Sequence, residues 1–249
     1  MKAVTTPLLA AALLLTCGRS AAAQTADDVV EKYLAAIGGR AALGKVTSRS
    51  TTGTMTLSLP NGPVSGAVEI LSQRPNKTRT LTRLDLSSLG AGQVTREQRF
   101  NGTSGYILDS LQGNREITGN QLENLKNATF PTPLLTYKEQ GATVELAGKE
   151  KVDGRDAYVM LFKPKTGSAA RQFIDAETYL PVRIVVKVDT PETGEIEQTT
   201  DLSDYREVDG LKIPFTIKVS TGGQSFTIAV TKVEHNVKID EAVFSRPDK

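Results

Sequence analysis

The side chains that most often carry out chemistry in proteins are almost absent from this sequence. The chain of 249 residues has one cysteine, Cys17, no tryptophan and one histidine, His235. Zinc sites and thiol or charge-relay catalysis need several His or Cys side chains in one cleft. A surface or turn position is the expected environment of His235, which stands near the C-terminus. The sequence therefore predicts no catalytic residue, and a hydrolase that uses His235 is the less favoured alternative.

Two pairs of acidic residues are the remaining candidates for acid–base chemistry or calcium binding. They are Asp175 with Glu177, and Asp201 with Asp204. Neither pair has the ligand spacing of a calcium loop, and both coincide with expected turns. The sequence also lacks a glycine-rich phosphate loop and the HExxH and GxSxG motifs. It therefore predicts no metal ion and no cofactor.

One apolar segment interrupts the pattern in the middle of the chain. A short helix is expected just before it, around Leu122 and Leu125, and its prolines exclude it from a central strand. Two interpretations remain open: a hydrophobic lid over a cavity that accepts acyl chains, or ordinary core packing against a sheet. The segment consists of Phe130, Pro131, Pro133, Leu134, Leu135 and Tyr137.

The elements that must position these residues are mostly strands. Thr25 followed by two acidic residues is typical of a helix start, and apolar residues then recur at helical spacing over 25–37. From Val46 onward apolar and polar residues alternate, as in strands with one wet face. Residues 157–162 are apolar throughout, which predicts a strand that is covered on both faces. Asp153-Gly154 and Asp209-Gly210 are typical of hairpin turns.

About ten strands and a few short helices predict a mainly β protein. We expect a single curved antiparallel sheet, because an open sheet of that width must curl or be capped. The caps would be the helix at 25–37 and the insertion at 119–138. No linker or composition break divides the chain, so we predict one folded domain.

The first 23 residues are typical of a secretory signal peptide. Lys2 precedes an apolar run that is too short to span a bilayer, and small residues at 21–23 form a cleavage site. We therefore predict a signal peptide at 1–23, a folded domain at 24–249 and a periplasmic location. The alternative is a lipoprotein that is anchored to the membrane through Cys17. In either case the folded domain has no disulfide, which a domain of this size does not need.

The charge balance argues against an anionic macromolecule as a partner. The chain has 30 basic and 28 acidic residues. The excess of two disappears when Lys2 and Arg19 leave with the signal peptide. A neutral protein has no electrostatic reason to bind nucleic acid, so we predict none.

Several segments of the sequence resemble the periplasmic lipoprotein-carrier superfamily, the LolA/LolB-like and outer-membrane lipoprotein-sorting proteins. The resemblance implies an incomplete, half β-barrel whose concave face is covered by helices and binds lipid chains. Characterised carriers also hold an arginine that latches the lid, and Arg79, Arg83, Arg96 and Arg99 are candidates by position. The segments that carry the resemblance are 26–39, 100–106 (FNGTSGY), 152–158 (VDGRDAY), 173–182, 204–214 and 236–244.

Together these features predict a non-enzymatic envelope protein that binds lipid or lipoprotein acyl chains in a hydrophobic concave cavity. We expect a monomer, and peripheral contact with a membrane is compatible with this function. The alternative is an envelope-stress sensor or scaffold of the same fold, which binds an envelope protein as its partner. The predicted ligand-binding residues are Met55, Leu57, Tyr106, Phe130, Leu134, Leu135, Tyr158, Met160 and Phe162.

Overall fold

The structure is a computed structural model that describes residues 24–190 and 194–247. The predicted signal peptide and Cys17 lie outside the described residues. Within them, no helix has the length and hydropathy that crossing a bilayer requires.

Three α-helices accompany the sheet in the described part of the chain: α1 (Ala26–Ala36), α2 (Arg40–Lys45) and α3 (Gly119–Asn127). Short 3₁₀ turns lie at Ser87–Leu89, Pro133–Leu135 and Glu241–Phe244. The predicted start of α1 is confirmed. Thr25 caps the helix by accepting a hydrogen bond from the Asp28 amide, and the Asp28 carboxylate accepts one from the Thr25 amide.

Thirteen strands, counted over the described residues, form one antiparallel sheet in the order β6-β5-β4-β3-β2-β1-β13-β12-β11-β10-β9-β8-β7. The sheet is open, because β6 and β7 are its two edges and do not pair with each other. The predicted mainly β, curved and incompletely closed architecture is confirmed, with three more strands than the expected ten. The strands are β1 (Ser48–Ser58), β2 (Val64–Gln73), β3 (Lys77–Leu86), β4 (Gly92–Phe100), β5 (Gly105–Asp109), β6 (Arg115–Ile117), β7 (Thr143–Val152), β8 (Arg155–Lys163), β9 (Ala170–Asp175), β10 (Pro181–Thr190), β11 (Gly194–Val208), β12 (Leu211–Thr221) and β13 (Gln224–His235).

Tight turns set the register of the hairpins. Asp153-Gly154 joins β7 to β8 and Asp209-Gly210 joins β11 to β12, and all four residues have positive φ angles. Two successive left-handed residues are the geometry of the turns that match the twist of paired strands. Both predicted hairpins are therefore confirmed, together with their physical cause.

The main hydrophobic core lies between α1 and one face of the sheet. Val29, Val30 and Leu34 of α1 are almost fully buried there. The helix approaches β12 so closely that a Cβ atom on Gly38 would lie 2.4 Å from Leu211 Cδ2. The Lys212 amide also donates to the Ile37 carbonyl at 3.1 Å. These contacts hold α1 against one end of the sheet.

Strand β8 is covered on both faces, as its sequence predicts. Tyr158, Met160 and Phe162 belong to the main core. Ala157 and Val159 point to the other face, where they form a smaller cluster with Val152, Phe173 and Val185.

Candidate functional site: a cavity on the concave face of the sheet

A cavity of about 980 Å³ lies between the sheet and the segments that cross it. This volume is at the upper end of the range that is typical of small-molecule sites. The concave face is therefore not filled by the protein's own side chains.

One wall of the cavity, built by β9 to β12, carries most of its apolar side chains, along with the polar side chains of Gln172, Gln198 and Lys212. We call it the apolar wall. Ala170, Ile184, Val186, Leu202 and Ile213 line it. Side chains alternate between the two faces of a strand, so Ile184 and Val186 reach the cavity while Val185 packs on the opposite face. This wall is the part of the site that could cover a hydrocarbon chain.

The opposite wall is polar and cationic. Arg96 and Gln98 of β4, together with Gln112 and Arg115 at the β5–β6 hairpin, line it. A cavity with one apolar and one polar wall suits an amphipathic molecule better than a purely apolar one.

Helix α3 crosses the cavity and has no fully buried residue of its own. Its side chains instead bridge to the loop between β8 and β9. The Ser168 amide donates to Asn124 Oδ1 at 2.8 Å, and Asn127 Nδ2 donates to the Thr166 carbonyl at 2.6 Å. From the other side, Asn76 Nδ2 donates to the Lys126 carbonyl at 3.0 Å. Polar contacts rather than a packed interface therefore hold α3 in place.

The apolar segment after α3 combines the two interpretations that its sequence leaves open, because one part lines the cavity and the other packs in the core. Phe130, Pro131 and Pro133 line the cavity, whereas Leu134 and Tyr137 are buried in the main core. The core half is tied to α1, because Tyr137 Oη donates to Asp27 Oδ1 at 2.6 Å. One half of the segment is thus a cover for the cavity and the other half is its anchor.

Arg49 reaches the cavity from β1 beneath this cover. Its guanidinium carbon lies 5.1 Å from the centre of the Phe130 ring. Its Nε donates to His235 Nε2 at 3.1 Å, and His235 Nδ1 lies 2.9 Å from Asp209 Oδ2. Burial lowers the pKa of Arg49 to about 10, and a nearby Tyr33 opposes that shift. Burial in the same region raises the pKa of Tyr33 to about 12.

His235 differs from its expected surface environment. It ends β13, and its side chain is only 3% exposed because it is enclosed between Arg49 and Asp209. The expectation of a surface histidine is therefore wrong. Cross-strand pairing of Arg49 with His235 brings the two together, which a linear sequence does not reveal.

The predicted ligand-binding residues fall into three groups. Phe130 and Phe162 line the cavity. Tyr106 lies on β5 with its ring 5.5 Å from the Arg246 guanidinium, and it is not among the residues that line the cavity. Five others belong to the main core or pack next to it: Met55, Leu134, Leu135, Tyr158 and Met160. Leu57 is half-buried on β1. Direct contact of these six residues with a ligand stays a prediction.

Of the four arginines considered as a latch, only Arg96 lines the cavity. Arg79 and Arg99 share the Glu97 carboxylate at 2.5 and 2.8 Å. Arg83 is exposed. Two other arginines contact the covering segment: Arg40 Nη1 donates to the Leu135 carbonyl at 3.0 Å, and Arg49 lies against the Phe130 ring. Sequence position alone suggested neither.

The acidic pairs have structural partners, as expected. Asp175 accepts hydrogen bonds from the Glu177 and Thr178 amides and pairs with Arg155 at 2.8 Å. Burial opposes ionisation of Asp175, but the hydrogen bonds from Thr178 and Glu177 outweigh it and lower its pKa. Asp201 pairs with Arg183 at 2.5 Å. Within the described ranges, no group of three or more His, Cys, Asp or Glu residues is arranged to hold a metal ion.

The fold and the cavity together define a class: an open curved sheet with a covered concave hollow. One family model, described only as an uncharacterized protein, matches residues 136–248. None of the curated proteins matches the chain.

Several solved structures have a similar fold. A DUF1329 family protein from Desulfovibrio piger has a TM-score of 0.58 at 14% identity, with 88% of this chain and 97% of that chain covered. A LolA superfamily protein from Nitrosomonas europaea has a TM-score of 0.57 at 12% identity, covering 89% and 98% of the two chains. A domain described as an outer membrane lipoprotein-sorting protein, from Vibrio parahaemolyticus, has a TM-score of 0.56 at 13% identity, covering 87% and 94%. The resemblance to the LolA superfamily is thus confirmed at the level of the fold.

Proposed function

We propose that this protein binds an amphipathic lipid, or the acyl chains of a lipoprotein, in the cavity and shields them from water. It acts in the periplasm and catalyses no reaction. The observation that carries the proposal is the open cavity of about 980 Å³, which has an apolar wall and is lined by Phe130 and Pro131 of the covering segment. The likeness to a LolA superfamily structure supports it.

The energetics favour such a ligand. Burial of one fourteen-carbon chain contributes on the order of 10 kcal/mol before ordering costs, at about 0.8 kcal/mol per CH₂ group. Entry requires α3 and the residues around Phe130 to move. The hydrogen bonds that hold α3 come from its C-terminal half, and each contributes only about 0.5–1.5 kcal/mol.

Organic extraction of protein purified from the periplasm, followed by mass spectrometry, tests the proposal directly. We expect a stoichiometric lipid, and we expect the emptied protein to take up a fluorescent fatty acid. Repeated absence of both results would contradict lipid binding. Capture of one stoichiometric envelope protein by lipid-free protein would instead favour the sensor or scaffold.

A pair of matched variants tests whether the fatty acid binds in the cavity or elsewhere on the sheet. Ala170→Trp places a large ring in the apolar wall, whereas Ala229→Trp places the same ring at an exposed position of β13. We expect the first variant to lose uptake of the fluorescent fatty acid and the second to retain it, with both folded by circular dichroism. Equal uptake by the two variants would place lipid binding elsewhere.

We also propose that two hairpin tips contact the membrane. Leu89 and Leu111 are exposed, at 44% and 56%. They lie in the β3–β4 and β5–β6 connections, which antiparallel pairing brings to the same end of the sheet. Apolar side chains at loop tips insert readily into a headgroup region. We expect Leu89→Ser with Leu111→Ser to reduce cosedimentation with phosphatidylethanolamine–phosphatidylglycerol vesicles, and Leu161→Ser, on another strand, to leave it unchanged.

A further inference from the structure

The charged side chains that line the cavity all have the same sign. Among the described residues that line it there are five basic side chains and no carboxylate. Three of the five have carboxylate partners elsewhere: Lys77 pairs with Glu241, Arg96 with Asp109 and Lys212 with Glu207. Arg49 and Arg115 have no carboxylate partner in the part of the chain that the structure describes.

These two arginines differ in what surrounds them. Arg115 is exposed, so water solvates its charge. Arg49 is half-buried against Phe130 and His235, so its charge is less well solvated than that of Arg115. An arginine cation that is buried without a counter-ion is unfavourable unless something else supplies the negative charge.

The terminal amino groups of Arg49 are available to a ligand. The one hydrogen bond that its guanidinium makes within the described chain comes from Nε. In that part of the chain, Asn76 Oδ1 is the only side-chain polar atom that is both enclosed and without a hydrogen-bond partner. Since the terminal amino groups of Arg49 also have no partner, they are not enclosed. The terminal amino groups of Arg49 are therefore open to the cavity that this residue lines.

Asp209 and His235 fix the orientation of the guanidinium. Because Asp209 can only accept when ionised, the His235 proton belongs on Nδ1, and Nε2 is then free to accept from Arg49 Nε. The Phe130 ring also lies against the guanidinium, with its centre 5.1 Å from the guanidinium carbon. This arrangement leaves the two terminal amino groups as a planar fork, the geometry that binds a carboxylate or a phosphate with two parallel hydrogen bonds.

We propose that the ligand is an amphiphile with an anionic headgroup, a carboxylate or a phosphate, which the terminal amino groups of Arg49 bind while the apolar wall covers the tail. This inference rests on the proposed function and narrows its ligand class. Asp209 and His235 are positioning residues in this site.

Matched lipids on the unmodified protein test the headgroup. Myristate and tetradecyl phosphate carry an anion, and methyl myristate and 1-tetradecanol carry the same chain without one. We expect the two anions to bind roughly tenfold to hundredfold more tightly than the neutral lipids, as charge-assisted hydrogen bonds imply. The tighter of the two anions identifies the headgroup chemistry.

Variants of Arg49 test whether this residue binds the anionic headgroup. We expect Arg49→Gln to abolish the preference for anionic lipids, Arg49→Lys to keep part of it, and the exposed control Arg83→Gln to change nothing. The ¹³C-carboxyl signal of bound myristate gives a readout that does not depend on variants. Because an adjacent cation lowers a carboxyl pKa, we expect bound myristate to stay ionised at a lower pH than free myristate.

The outcomes separate the two proposals. If all four lipids bind equally, or if bound myristate titrates like the free acid, the anionic headgroup is wrong and lipid binding stands. If none of the four lipids binds, lipid binding itself fails. Unchanged anion preference in a folded Arg49→Gln variant would also overturn the role of Arg49.

Discussion

Arg49 and Arg79 are two partly buried arginines of one sheet that have opposite electrostatic surroundings. Arg79 lies among carboxylates, with Glu69 at 2.9 Å and Glu97 at 2.5 Å. Arg49 has a neutral imidazole and an aromatic ring beside it. Neighbouring residues Thr78 and Arg79 point to opposite faces of β3, so the cavity receives Thr78 and the paired arginine lies on the other side.

This contrast predicts different stabilities for matched variants. Arg79→Met leaves Glu97 with one cationic partner fewer, and we expect it to lower the free energy of unfolding by about 1–3 kcal/mol. Arg49→Met removes a charge that has no counter-ion among the described residues, and we expect a change below about 1 kcal/mol. Urea unfolding of the lipid-free proteins measures both. A loss in Arg49→Met as large as that in Arg79→Met would mean that Arg49 stabilises the fold and is not held for a ligand.

The only histidine, His235, shows why the surroundings of a residue could not be predicted from the sequence. A surface or turn position was expected of it, because the sequence shows no partner residues for catalysis. The fold places it in a cross-strand pair with Arg49 and beside the β11–β12 turn. Contacts between residues separated by 186 positions depend on strand register, which local sequence does not specify.

At the scale of elements, α3 and the segment that follows it differ in how firmly they are held. The segment is anchored by buried Leu134 and Tyr137, whereas α3 has no buried residue. Elements with few buried contacts open at low free energy. Opening at α3 with the anchor in place would uncover the cavity without unfolding the core.

Loosening α3 should therefore speed ligand exchange. Asn124→Ala with Asn127→Ala removes its bonds to Ser168 and to the Thr166 carbonyl, and leaves the bond from Thr166 Oγ1 to Glu123. We expect the dissociation rate of a fluorescent fatty acid to rise roughly tenfold, as the loss of about 1.4 kcal/mol implies. Stopped-flow displacement measures this rate. Asn120→Ala, at an exposed position of the same helix, is the control, and equal rates in both variants would exclude α3 as the gate.

At the scale of the whole molecule, the open sheet leaves two edges that invite pairing with a second copy. β6 has three residues, and β7 carries exposed charged residues, among them Glu145, Lys149 and Lys151. Short and charged edges are the common protection against edge-to-edge association. These features support the expected monomer.

We accordingly expect light scattering after size exclusion to give the mass of one chain at all concentrations tested. Replacing Glu145 and Lys151 by valine removes part of the protection of β7. That variant should associate as its concentration rises, and a native protein that dimerises in the same way would contradict the prediction.

The sequence alone determined the local structure, because hydrophobic periodicity, the Thr25 cap and the Asp-Gly turns act over a few residues. It indicated one curved sheet, a cover near Phe130 and the absence of the usual catalytic side chains. Only the tertiary structure decided that the hollow is open, which half of the covering segment lines it and that Arg49 lines it with no carboxylate partner among the described residues. Those properties depend on strand order and register across the entire sheet, and they arise from residues that are far apart along the chain.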